Sequence, residues 1–171
     1  YIPGFKVNVN ISYIQMMKSD IWKDILSSIE QYNLPPESLC AELTESGYTD
    51  MTPYFYTLRK KFEEKKIQFI LDDFGTGQSN LSYIVDMPID IVKFDRGMTN
   101  AYFDNGKGKP VMDAAMGMIQ KLKLEIVSEG IEEKEQLAKL DELGIDYIQG
   151  YYFSKPRNAA EFISFIESIN A

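Results

Sequence analysis

Six short runs rich in β-branched and aromatic residues recur along this chain, and segments of helical periodicity lie between them. The strand candidates are residues 5–11, 38–44, 67–73, 89–95, 125–131 and 147–153, and the helix candidates are 19–32, 52–65, 79–85, 109–121, 134–143 and 159–169. Such alternation, at spacings of roughly 20 to 35 residues, implies βα units and a parallel sheet, because a crossover helix is what returns the chain to start the next strand in the same direction. Two architectures use that unit. The doubly wound open sheet announces itself with a G-x-G-x-x-G turn after its first strand, and nothing of that form follows "VNVNI". The other is the (β/α)8 barrel, which has eight units in about 250 residues. The expected fold is therefore α/β, a partial TIM-type (β/α)8 barrel with about six βα units, the C-terminal three-quarters of one barrel over residues 1–171, with the remaining units expected upstream of Tyr1.

Within that pattern, "LDDFGTG" follows the apolar run "IQFI" and sets two carboxylates side by side at a strand end. Adjacent strand residues point to opposite faces, so Asp72 and Asp73 can share one site only where the strand ends and the backbone turns. Phe74-Gly75-Thr76-Gly77 is expected to supply that turn. Two carboxylates so crowded must take up a proton or find a cation.

Composition narrows the chemistry. The 171 residues contain no histidine and carry a net charge of -8. Histidine-based acid–base catalysis and His-ligated zinc are excluded, and a phosphate-neutralising grip on DNA or RNA is disfavoured. The one cysteine, Cys40, sits in the strand-like "SLCAEL" and reads as a small core residue. No apolar run approaches the roughly 20 residues of a membrane helix, and a cytoplasmic location is the default expectation.

Each strand candidate delivers a polar residue near its C-terminal end: Asn10, Glu42, the pair Asp72 and Asp73, Lys93, Glu129 and Gln149. Singly, each has a bland reading as a turn residue, a solvated acid, a surface charge or a core amide. Barrel active sites, however, are assembled from residues at several strand ends, and here every strand contributes one. Carboxylates and an amide oxygen are hard ligands suited to Mg2+ or Mn2+. A two-metal site uses one carboxylate to bridge ions about 4 Å apart with a second beside it, and such ions generate hydroxide at neutral pH. Lys93 would orient that water or stabilise developing negative charge, and Glu129 would accept its proton. The residue chemistry alone suggests metal-assisted phosphoester hydrolysis.

The blocks "VNVNIS", "AELTES", "LDDFGTGQSNLSYIVDMPIDIVKFDR" and "VSEGIEEKEQLAKLDELGIDYIQGYYFSKP" resemble, in order and spacing from about Val7 to Pro156, the EAL family of cyclic di-GMP phosphodiesterases. The resemblance implies a barrel enzyme that linearises cyclic di-GMP to pGpG with two Mg2+ or Mn2+ ions. It further implies that Asn10, Glu42, Asp72 and Asp73 are metal ligands, with Asp72 the bridge. Lys93 is similar to the lysine near the nucleophilic water, Glu129 to the general base, and Gln149 to the amide supporting metal and substrate. Glu45 is similar to the glutamate that anchors the loop after the acid pair.

Some positions depart from the family pattern. The Glu-Ala-Leu segment, with its metal-ligating glutamate and adjoining arginine, is absent, and Gln78, Asn80, Ser128 and Glu133 replace commoner residues. A truncated phosphodiesterase, inactive alone, is the first expectation. A non-catalytic cyclic di-GMP-binding or regulatory module is the second, and a different metal-dependent barrel enzyme, such as an aldolase, is the third. Expected partners are cyclic di-GMP, and either a homodimer, since unpaired strand edges invite association, or an upstream sensory or cyclase domain. The aromatic run Tyr151-Tyr152-Phe153 is expected to be core, with base stacking as the alternative.

Overall fold

The computed structural model describes residues 4–18, 20–44, 53–76, 84–85, 87–104 and 106–169. Its elements follow in the order β1 (Val7–Asn10), α1 (Tyr13–Lys18), α2 (Ile21–Gln31), β2 (Leu39–Thr44), α3 (Pro53–Glu64), β3 (Gln68–Phe74), β4 (Ile91–Phe94), α4 (Arg96–Phe103), α5 (Gly108–Lys121), β5 (Glu125–Ser128), α6 (Lys134–Glu142), β6 (Tyr147–Ile148) and α7 (Ala159–Ile169). All six strands are parallel and lie in sequence order, so the sheet curls as a half-barrel whose two edges are β1 and β6. Among the described residues no helix is long and apolar enough to cross a membrane.

Period-2 alternation divides the sheet into two faces. One face, with Ala41, Leu43, Phe69, Leu71, Val92, Phe94 and Ile126, packs under helix residues such as Phe55, Leu58, Phe62, Met112 and Ile119 in the main core. Phe62 meets Phe69 edge to face at 4.9 Å, and burying each such ring stabilises the fold by about 1.5–3 kcal/mol. The other face, inside the curl, carries a small apolar layer of Cys40, Ile70, Ile91 and Val127. Cys40 is thus a core residue, as expected.

Two aspartates repeat one device at the bottom of the sheet. Asp90, just before β4, accepts the backbone N–H of Phe69 on β3 at 2.8 Å, and Asp146, just before β6, accepts that of Ile126 on β5 at 2.8 Å. Each joins two strands where the ladder begins. Asp90 is also held by Arg59, one guanidinium nitrogen of which reaches both carboxylate oxygens at 2.8 and 3.0 Å.

Four expectations need correction. Two helices stand where none was expected. In α1, the hydroxyl of Ser12 accepts from the N–H of Gln15 while the Gln15 amide oxygen accepts from the N–H of Ser12, a reciprocal cap. In α4, Asp95 ends the strand run and caps the helix through the N–H of Gly97. The last strand stops at Ile148 rather than running to 153: the N–H of Phe153 turns back to the Gly150 carbonyl at 3.2 Å, and Gly150 packs so closely on Ile131 that a Cβ there would lie 2.0 Å from the Ile131 carbonyl oxygen. Consequently Tyr151, Tyr152 and Phe153 are exposed surface, not core. The helix expected over 79–85 falls almost entirely outside the described residues.

Candidate active site

The inner face explains why the polar residues converge. Cys40, Ile70, Ile91 and Val127 form the apolar layer, and the residue two further along each chain is Glu42, Asp72, Lys93 and Glu129. A step of two keeps the same face, so the polar groups stack as one layer directly above the apolar one, toward the C-terminal ends of the strands. Lys93 is the centre. Its Nζ lies 2.6 Å from Glu129 Oε1, 3.3 Å from Asp72 Oδ1 and 3.4 Å from Glu42 Oε1. Lys93 is 5% exposed and Glu42 4%, so these charges meet away from bulk water.

Asp73 enters by a different route from the expected turn. The β3–β4 register runs Leu71 with Val92 and then Phe74 with Phe94, so Asp72 and Asp73 together stand against Lys93 alone. This is a β-bulge, and Asp73 makes it with φ of 60°, a left-handed conformation that aspartate tolerates better than most residues. The strand therefore continues through Phe74, and the side-by-side acids share one neighbourhood because an extra residue is inserted between them and the next rung. The N–H of Asp73 is satisfied by Asp72 Oδ1 at 2.9 Å.

Burial and crowding set the protonation. Burial pushes the Asp73 carboxyl above its ordinary value, and the charges of Asp72, Asp95 and Glu129 push it the same way. Burial also raises Glu42, against the pull of Lys93 and with Asp72 adding to the rise. For Lys93, burial alone would favour the neutral amine. The hydrogen bond to Glu129 and the charges of Asp72 and Glu42 outweigh it and hold the ammonium well above its ordinary range. Lys93 is a fixed positive charge here, not an acid or a base.

The remaining candidates are less converged. Asn10 is directly opposite Glu42 in the β1–β2 register and is exposed. The side chain that reaches Glu42 is instead that of Asn8, whose Nδ2 donates to Oε1 at 2.8 Å. Gln149 is exposed just past β6, its backbone N–H bonded to the Ser128 carbonyl at 2.9 Å. Glu45, Gln78 and Asn80 lie outside the described residues. Of the departures, Ser128 is buried and bonded to Thr99 at 3.0 Å, and Glu133 starts α6, where Gln136 accepts its N–H. Asn8 and Asp95 were missed in the sequence, although Asn8 precedes Asn10 by the two residues that put both on one face.

Among the described residues no three His, Cys, Asp or Glu side chains stand close enough together to hold an ion unaided; the acids meet on Lys93 instead. The donor set nevertheless fits a hard divalent cation. It is all oxygen, its acids outnumber the one ammonium, and burial together with the neighbouring negative charges raises the Asp73 carboxyl above its ordinary value.

Acids and one lysine at the C-terminal ends of successive parallel strands stand where barrel folds carry their active sites. The chain belongs to the EAL domain family, whose profile matches residues 2–156. It is 34% identical over 160 residues to the signaling protein YkoW of Bacillus subtilis, covering 94% of this chain and 20% of that protein. It is 30% identical over 165 residues to the probable cyclic di-GMP phosphodiesterase PdeG of Escherichia coli, covering 96% of this chain and 32% of that one. Among solved structures, the EAL enzyme Bd1971 with cAMP and cyclic di-GMP bound superposes with a TM-score of 0.87 at 30% identity, over 95% of this chain and 43% of that one. The chain thus spans a fifth to a third of the length of these curated relatives.

Proposed function

We propose that this chain is the greater part of a cyclic di-GMP phosphodiesterase barrel that opens the cyclic dinucleotide to pGpG with two Mg2+ or Mn2+ ions. The observation that carries the reading is the convergence of Glu42, Asp72 and Glu129 on Lys93 at four successive strand ends. Relatives named as cyclic di-GMP phosphodiesterases, and a solved relative with the nucleotide bound, support the substrate.

In this reading Asn10, Glu42, Asp72 and Asp73 would hold the cations. When bound, the metals supply a hydroxide nucleophile and neutralise charge on the phosphoryl oxygens. Lys93 contributes a permanent positive charge where negative charge develops. Glu129, fixed by its 2.6 Å ion pair to Lys93, would accept the proton of the attacking water. Gln149 would support the substrate, and the exposed Tyr151 is available to stack on a base.

A second reading, a nucleotide-binding module without turnover, is favoured by one observation: among the described residues the acids engage an ammonium rather than forming a ready cage. The deciding experiment is cyclic di-GMP hydrolysis with Mn2+, followed by product chromatography, on this chain and on a version extended upstream by about two βα units. Production of pGpG by the longer version, lost in Asp72→Asn, is the expected result. Binding without product in both versions would establish the module instead, and unchanged turnover in Asp72→Asn would refute the two-metal assignment.

A further inference from the structure

Asn8 lies one rung below the expected ligand Asn10, opposite Cys40 in the β1–β2 register, yet its amide reaches diagonally across to Glu42. The acceptor is a carboxylate oxygen, so the donating atom must be Nδ2. Among the described residues that contact is the one hydrogen bond given to Glu42 Oε1 by a neutral group, and the same oxygen also faces Lys93 at 3.4 Å. Glu42 is thereby held from both sides, by β1 through Asn8 and by β4 through Lys93, and both donors engage the same oxygen.

Resting on the two-metal reading, we propose that Asn8 is a positioning residue that locks the Glu42 carboxylate by its Oε1 and so reserves the other oxygen, Oε2, for a divalent cation. A carboxylate buried against an apolar layer has few ways to fix its rotation about the last side-chain bond. A free carboxylate rotor would have to be ordered when the ion arrives, at an entropic cost that a pre-existing hydrogen bond removes. The Lys93 ammonium cannot do this alone, since it is shared among three acids and its strongest partner is Glu129. The amide of Asn8 is the closer donor, its Nδ2 lying 2.8 Å from Glu42 Oε1 against 3.4 Å for the ammonium. Asn8 contacts no reacting atom, so its effect is on cation affinity and acts through Glu42.

The test uses the metal alone. Mn2+ is titrated into the whole chain and into Asn8→Leu, which keeps the shape of asparagine without its donor, and Asn8→Ala, with binding followed by calorimetry and by the electron paramagnetic resonance of free Mn2+. Loss of a hydrogen-bond partner of a ligand typically weakens metal affinity by roughly 10- to 100-fold. A loss of about tenfold or more in both variants, with the thermal midpoint of the metal-free protein unchanged, is expected, since Asn8 is an exposed residue on an edge strand. Affinity within about twofold of the original in both variants overturns the assignment, and so does a fall in metal-free stability with unchanged affinity, which marks a structural role only. If the original chain itself binds no Mn2+, the two-metal reading fails in this chain and the assignment falls with it, a result distinct from equal binding by all three proteins.

Discussion

The ammonium of Lys93 stands 2.6 Å from Glu129 Oε1, closer than it stands to either Asp72 or Glu42, so β4 and β5 are tied inside the curl by an ion pair. Three acids therefore depend on a single cation. Removing it should be far more damaging than removing a surface lysine.

Lys93→Met is expected to destabilise the metal-free fold by about 3–5 kcal/mol near neutral pH, the usual effect of leaving buried charges without their partner. The deficit should depend on pH, and its sign follows from the acids. Glu42 and Asp73 are raised above their ordinary values, so their ionisation opposes folding, and Lys93 is a group that lowers both. Without it they rise further, and stability is lost as pH climbs through the carboxylate range. Lys93 itself is raised, so its contribution is complete below the ordinary lysine value and is lost only above its elevated one. It is constant across the acidic and neutral range. Urea midpoints with a chelator present, at about pH 5 and about pH 8, should show the larger deficit at the higher pH. Equal deficits would contradict the arrangement.

The bulge makes a separate prediction about Asp73. Its φ of 60° costs a branched residue roughly 1–2 kcal/mol more than glycine, which adopts it freely. Asp73→Gly also removes a carboxyl that burial and neighbouring acids push above its ordinary value. Thermal unfolding without metal should rank Asp73→Gly at or above the original protein, with Asp73→Val below both. A glycine variant less stable than the valine variant would show that the left-handed turn is not what positions this residue.

Much of this was visible before any coordinates. All six strand candidates contain strands, because β-branched runs between helical segments leave few alternatives to a parallel sheet. The convergence of Glu42, Asp72, Lys93 and Glu129 was legible for the same reason: the chain places one such residue at each strand end. What period-2 reasoning could not supply was the bulge, since a left-handed aspartate inside a strand is a tertiary choice with no local signature. It misled at the start of α4 and at the end of β6 as well. Asp95 looked like the continuation of "IVKF" when it was a helix cap, and the aromatics after Gln149 looked like strand when Gly150 had already turned the chain. The reciprocal pair Ser12 and Gln15 was a readable signal for α1 that the apolar pattern overshadowed. Asn8 was hidden by Asn10, because alternation puts both on one face without saying which one reaches across.

The repeated aspartate device yields the last prediction, in which two chemically similar substitutions should differ. Asp146→Ala leaves one backbone N–H, that of Ile126, without its acceptor, a loss of about 1–3 kcal/mol. Asp90→Ala does the same to Phe69 and in addition strands the guanidinium of Arg59, which is buried and keeps only the Pro88 carbonyl among these partners. An uncompensated buried charge adds several kcal/mol, so Asp90→Ala should cost clearly more than Asp146→Ala. Arg59→Met should recover part of the loss when combined with Asp90→Ala, because it removes the stranded charge. Chemical denaturation of the two single variants and the double variant measures each term, and hydrogen exchange at the Phe69 amide reports the latch directly. The consequence reaches the site: Asp90 joins β3 to β4 at the base of the two strands that carry Asp72 and Lys93, so slippage there would move these residues apart. A double variant no better than Asp90→Ala would mean that the Phe69 contact, not the ion pair, dominates the latch.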